Sequence, residues 1–152
     1  VVLVLSDYKT SQNREWLIQI IRSETDVAVQ VACLEGLCKI GDRESIEVLR
    51  EFALRVFMKK ESERLLQNRA IQLLGKLNVT EVVSDLIKIF NKSRWIPSKK
   101  RDQMRIVIAQ TLWKMVDKNA KNTVVKGCHD FRGSVRRMCR SLVMSSETSE
   151  TS

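Results

Sequence analysis

The segment from Val29 to Ala53, VQVACLEGLCKIGDRESIEVLREFA, recurs 37 positions later as LQNRAIQLLGKLNVTEVVSDLIKIF from Leu66 to Phe90. Apolar residues fall on apolar residues: Val29 on Leu66, Cys33 on Ala70, Leu34 on Ile71, Leu37 on Leu74, Ile40 on Leu77. The register continues through Ile46 on Val83, Leu49 on Leu86 and Phe52 on Ile89. A repeat of this length is the mark of a stacked helical array, in which each unit buries its apolar face only against its neighbours.

Within a unit the apolar residues recur every three or four positions, the spacing of one helical face. Gly41 closes the first helix where a left-handed residue is wanted, and Asp42 follows to accept amides of the second. Asn78 stands in the place of Gly41, and Asn78 with Glu81 has the spacing of a capping box. A third copy begins 38 residues on, with Met104, Ile108, Ala109, Leu112 and Met115, and its second helix carries Ala120, Val124 and Cys128. A fourth first-helix follows with Val135, Cys139 and Val143. Upstream, Trp16–Ile21 reads as the second helix of a preceding unit, and Val1–Leu5 as the end of its first.

The stretches Ala32–Asp42, Ala70–Asn78 and Ala109–Asp117, of AxxALGxIGD type, resemble the HEAT-like repeats, in particular the short type first described in phycobilisome lyases. The resemblance covers most of residues 11–144. It implies an all-α, right-handed α-α superhelix of about four helix pairs. For function it implies a binding scaffold more than any one chemistry. The Gly-Asp pair survives in a single unit, no unit keeps the proline that often opens the second helix, and extra residues interrupt the array near Met58–Arg64 and Asn91–Arg101. The expected division is a repeat domain over 1–144, cut from a longer protein because the chain starts inside a helix without Met, and a solvated polar tail over 145–152.

Gly and Pro are scarce (5 and 1), and no stretch shows strict apolar-polar alternation, so an all-α fold is favoured over any sheet. No stretch approaches the ~20 apolar residues of a membrane span. Cys33 and Cys139 occupy apolar repeat positions, Cys38 is the counterpart of Gly75, and no Cys-x-x-Cys pair exists; a reducing, cytoplasmic setting follows.

Charge is lopsided. Residues 1–54 hold six Lys/Arg and nine Asp/Glu, whereas residues 55–144 hold twenty-one and seven. A field of that sign draws an anionic partner. Lys88, Lys92, Arg94, Lys99, Lys100, Arg101 and Arg105 form one cluster, with Trp95 and Pro97 in its loop and Ser98 placed to cap the next helix. Arg136, Arg137 and Arg140 form a second. The expected partner is an acidic protein. Phosphate-backbone binding with Trp95 stacking on a base is the alternative, and cations that merely solvate the helices remain a third possibility.

Catalysis, a metal and a cofactor are not expected. Cys128, His129 and Asp130 are adjacent in sequence, whereas a nucleophile and its base meet through space. They read as a turn, with Asp130 capping the last helix. The resemblance includes enzymes (bilin lyases and alkyl-base DNA glycosylases, the latter with an acid and tryptophans facing a basic groove). Here the tryptophans are 16, 95 and 113 and the nearest acids Asp102 and Asp117, all with structural readings, and no specific catalytic motif of either enzyme is present.

Overall fold

In a computed structural model, residues 11–55, 60–95 and 98–150 are described, the last four by backbone alone. Val1–Leu5, Met58 and Pro97 lie outside them. Eight α-helices occupy the described residues: α1 Ser11–Ser23, α2 Val27–Ile40, α3 Arg43–Ala53, α4 Glu61–Lys76, α5 Val83–Lys92, α6 Lys99–Lys114, α7 Lys118–Gly127 and α8 Gly133–Glu150. Short 3-10 turns cover Thr80–Val82 and Ser93–Trp95, and no strand occurs among the described residues. The chain is an all-α helical-repeat fold of the solenoid type.

Two compact units divide at Leu77 and Asn78. In the first, α2 packs on α1, α3 and α4, and α3 packs on α4. In the second, α6 packs on α5, α7 and α8, α7 packs on α8, and α5 also reaches α7. Within each unit every helix thus meets its successor and, in most cases, the helix after that, which is the layering of a repeat array.

The repeat positions form the core. Cys33, Leu37, Leu49, Phe52, Ala70, Ile71 and Leu74 are buried in the first unit. Leu86, Ile108, Ala109, Leu112, Met115, Ala120, Val124, Val135 and Cys139 are buried in the second. Ile89, the counterpart of Phe52, is half-buried, whereas Phe90, the counterpart of Ala53, is buried as Ala53 is. Leu86 and Phe90 thus repeat the spacing of buried Leu49 and Ala53. Burial pushes the Cys33 and Cys139 thiols up to about 11. Burial also raises the Cys38 thiol.

Helix ends follow local chemistry. Gly41 is left-handed (φ 67°), and Asp42 accepts the Ser45 amide at 2.9 Å. Asp117 accepts the Ala120 amide at 2.8 Å. Asn78 is left-handed too (φ 52°), yet the capping box does not form. Instead its Oδ1 accepts the Val116 amide at 2.9 Å, joining the turn of one repeat to the turn of the next. Ser98 stands at the start of α6 without a side-chain bond to the helix. The expected break before residue 145 is absent: α8 continues to Glu150, with the Ser145 and Ser146 hydroxyls turned onto the Leu142 and Val143 carbonyls at 2.9 and 2.7 Å.

A polar contact recurs with the repeat. The residue after Val29, Leu66, Met104 and Val135 is Gln30, Gln67, Arg105 and Arg136. Gln30 Nε2 donates to the Ile21 and Glu24 carbonyls at 3.1 and 2.9 Å. Gln67 Nε2 donates to Ala53 and Arg55 at 3.1 and 2.7 Å. Arg105 Nε donates to Phe90 at 2.9 Å, and Arg136 Nη1 to Asp130 at 3.0 Å. Each side chain satisfies carbonyls left over at, or just beyond, the end of the preceding helix, which have no intrahelical partner. Each thereby ties the first helix of a repeat to the repeat before it.

Candidate interaction surface

The basic positions that gather do so in the second unit, around two carboxylates. Arg105 is wholly buried, at 0% exposure, so the expectation that it contributes to a partner-binding surface is wrong. Its place one residue after Met104 turns it inward. Its guanidinium lies over the Phe90 ring, 4.4 Å from the centroid. It grips Asp130 with Nη1 to Oδ1 at 3.2 Å and Nη2 to Oδ2 at 2.6 Å. The planar fork of arginine matches a carboxylate in this two-bond geometry.

Asp130 accepts in addition the Arg132 amide at 2.8 Å, and Arg94 Nε stands 3.6 Å from Oδ2. Burial alone would raise its carboxyl. The Arg105 and Arg132 hydrogen bonds and the charges of Arg105 and Arg94 outweigh that, and hold it below the usual carboxylate range. Asp130 therefore organises the turn before α8 and closes on Arg105, a larger role than the helix cap expected of it. Asp102, in the first turn of α6, takes Arg132 through Nε at 3.2 Å and Nη2 at 2.9 Å, and the Ser134 hydroxyl at 3.3 Å.

The second cluster is half engaged. Arg136 holds the Asp130 carbonyl and Arg140 Nε the Cys128 carbonyl at 3.0 Å, cations on carbonyls around the end of α7. Arg137 is exposed, its Nη1 3.6 Å from where a Gly133 side chain would begin. Lys88 is exposed and pairs with Asp85 at 3.2 Å. Lys92, Lys99 and Lys100 are exposed and Arg101 half-buried, and among the described residues none of the four makes an ion pair.

Above the buried pair lies a feature that the charge pattern did not reveal. Trp95 is 77% exposed and Phe131 51%. Their ring centroids are 6.3 Å apart and tilted by 38°. The Arg94 guanidinium is 5.8 Å from one ring and 5.2 Å from the other, so the three groups form a near-equilateral triangle. Trp95 lies in the connection from α5 to α6 and Phe131 in that from α7 to α8, equivalent connections in successive repeats. Both connections join one repeat to the next, which the sequence pattern places, although the two rings share no repeat register.

The other tryptophans do not join them. Trp113 is half-buried, with Lys121 Nζ 4.5 Å above its ring and bonded to its carbonyl. Trp16 lies in the first unit. His129 is exposed, while Cys128 Sγ turns to the Val124 carbonyl at 3.7 Å and Asp130 to Arg105, so the three neighbours point to different partners. Among the described residues no cluster of His, Cys, Asp and Glu has the geometry to hold a metal, and no helix is long and apolar enough to cross a membrane.

Helix pairs layered in register, joined by side chains that repeat with them, define an α-helical repeat protein. Residues 14–96 match the profile of HEAT repeats, more than half of the chain. The protein belongs to the HEAT repeat family. No curated protein matches it significantly. HEAT repeats generally serve as protein-interaction scaffolds.

Proposed function

We propose that the chain is a non-enzymatic scaffold whose second unit binds an acidic protein partner through its basic surface. One observation carries the reading. Lys99, Lys100 and Arg101 are the first three residues of α6, and Ser98 gives that end no side-chain cap. The amino end of a helix carries partial positive charge, so each cation there costs about 0.3–1 kcal/mol rather than stabilising. Solvation would be served as well at any other exposed position. Three cations concentrated where folding disfavours them, a few residues along the chain from exposed Trp95, suit an incoming anion.

The arrangement at Cys128, His129 and Asp130 supports the non-enzymatic reading, because Asp130 is committed to Arg105 and leaves the histidine without an orienting acid. The AxxALGxIGD-like stretches support the short-repeat subtype within the family, and four free thiols suit a reducing, cytoplasmic setting. A second reading, sequence-independent nucleic-acid binding, is favoured by the exposure of Trp95, since an open indole can stack on a base.

The test is titration of a labelled Glu-rich peptide and of random single- and double-stranded oligonucleotides, at low and physiological salt, against wild type and K99E/K100E/R101E. Peptide binding that persists at physiological salt and is lost in the variant is the expected result. Unchanged binding in the variant would remove α6 from the site. Oligonucleotide binding with a steep salt dependence would favour the second reading.

A further inference from the structure

Attraction to acid does not account for two aromatic rings left open beside the cations. Trp95 and Phe131 come from different connections and meet on the surface at 6.3 Å, with Arg94 completing the triangle. The triangle is braced from beneath. Arg94 reaches Asp130, Asp130 is gripped by buried Arg105, and Arg105 is tied to the Phe90 carbonyl at the end of α5. Trp95 thus neighbours a residue held by that buried pair, and Phe131 directly follows Asp130. Exposed aromatic surface next to a buried ion pair is the pattern of an interaction anchor.

The occupant follows from geometry and charge. The rings already touch Arg94 and each other at a 38° tilt, so they leave no parallel-walled slot for a base. Of the arginines nearest the rings, Arg132 is paired with Asp102, Arg136 holds the Asp130 carbonyl and Arg140 the Cys128 carbonyl, while Arg94 Nε stands 3.6 Å from Asp130 without a hydrogen-bond partner. A run of phosphates needs a track of uncommitted cations, and here those lie at Lys92, Lys99, Lys100 and Arg101 and not among the arginines nearest the rings. What remains is an apolar shelf with Lys99, Lys100 and Arg101 close by in the chain, which suits an apolar side chain flanked by carboxylates.

We infer that Arg94, Trp95 and Phe131 form an anchor site for one large aliphatic or aromatic side chain of an acidic peptide segment. This rests on the acidic-partner reading above. The anchor gives selectivity among acidic partners, and the lysines give attraction. Truncating a well-covered apolar anchor to alanine weakens binding by about tenfold or more.

The experiment uses two labelled Glu/Asp-rich peptides, identical except for a central leucine or alanine, titrated by fluorescence anisotropy against the whole chain. Wild type should bind the leucine peptide about tenfold more tightly than its alanine twin. W95A, at a site too exposed to matter for folding, should bring that ratio close to one, as should F131A. K99E/K100E should weaken both peptides alike and leave the ratio intact. Equal binding of the twins by wild type, or a ratio that survives W95A, overturns the anchor while leaving the acidic-partner reading in place, provided charge reversal still weakens both. Failure of both peptides to bind overturns that reading as well. Tighter binding of a single-stranded oligonucleotide, lost with W95A, would replace both with base stacking.

Discussion

Arg105→Met separates a buried structural cation from a surface one. The change keeps a long unbranched side chain over Phe90 but removes three hydrogen bonds, one to the Phe90 carbonyl and two to Asp130. It strands the Asp130 carboxylate, whose side chain is only 4% exposed. Breaking a buried pair by deleting one partner costs about 3–5 kcal/mol, because the survivor stays charged and dry. Asp130 keeps the Arg132 amide at 2.8 Å and the charge of Arg94 at 3.6 Å, which places the loss near the lower end, about 3 kcal/mol. That is a large part of the ~5–15 kcal/mol by which a domain is stable.

Urea unfolding followed by far-UV circular dichroism measures the loss, with an unchanged slope showing that the same surface is exposed. R105M/D130N provides the control. Asn at 130 can still accept the Arg132 amide but carries no charge to strand, so the double variant should be more stable than R105M alone. The non-additivity should amount to about 1–3 kcal/mol. A surface arginine would behave otherwise, its loss costing within ~0.5 kcal/mol and independently of position 130. Either of those results would refute the buried-pair argument and return Arg105 to the partner-binding surface.

Three further outcomes are expected. Gln67→Leu leaves the Ala53 and Arg55 carbonyls without their donor and should cost about 1–3 kcal/mol in the same urea series. Gly127→Ala would place a carbon 2.5 Å from Cys139 Sγ and 3.5 Å from Phe90 Cζ; overpacking of this kind costs about 1–3 kcal/mol, and Cys139→Ala in the same chain should recover part of the melting temperature. On acidification, Asp130 and Asp42 should both destabilise the fold. Each carboxyl is held below its ordinary value, so each stabilises fully above the unfolded pKa of ~3.9 and loses that contribution as pH falls towards and through the folded value. Melting temperatures across the acid range should fall in that window, and D130N should flatten part of the drop.

The fold was legible because burial in a helical array is periodic. Cys33, Ala70, Ile108 and Cys139 lie at one repeat position and all are buried. The left-handed turns at Gly41 and Asn78 were legible for the same local reason. The surface was less so, because a count of charges carries no information about direction. Arg105 counted as one more cation in a basic cluster, although its slot after Met104 is the slot of Gln30 and Gln67. Phe131 carries no periodic signal, because a single ring in a turn outside the repeat register reads like any other loop residue. Asn78 was given a local capping role, but its acceptor went to Val116, a contact only the stacking of repeats creates.

The recurring slot makes a final prediction possible. If Gln30, Gln67 and Arg105 do the same work, the third contact should convert to the type of the first two. Arg105→Gln with Asp130→Asn keeps a donor of amide type for the Phe90 carbonyl and removes the charge that arginine had to meet. Glutamine is shorter, so the carbonyl bond is retained only if α6 keeps its approach to the end of α5, an approach set by Phe90, Ile108 and Leu112 in the core. The double variant should then exceed R105M/D130N in stability by about 0.5–1.5 kcal/mol, the net worth of one hydrogen bond. Equal stability of the two would mean that the Phe90 bond contributes nothing and that Arg105 is there for Asp130 alone. In that case the repeat would share a position but not a function, and the buried pair would serve chiefly to hold the turn that carries Phe131.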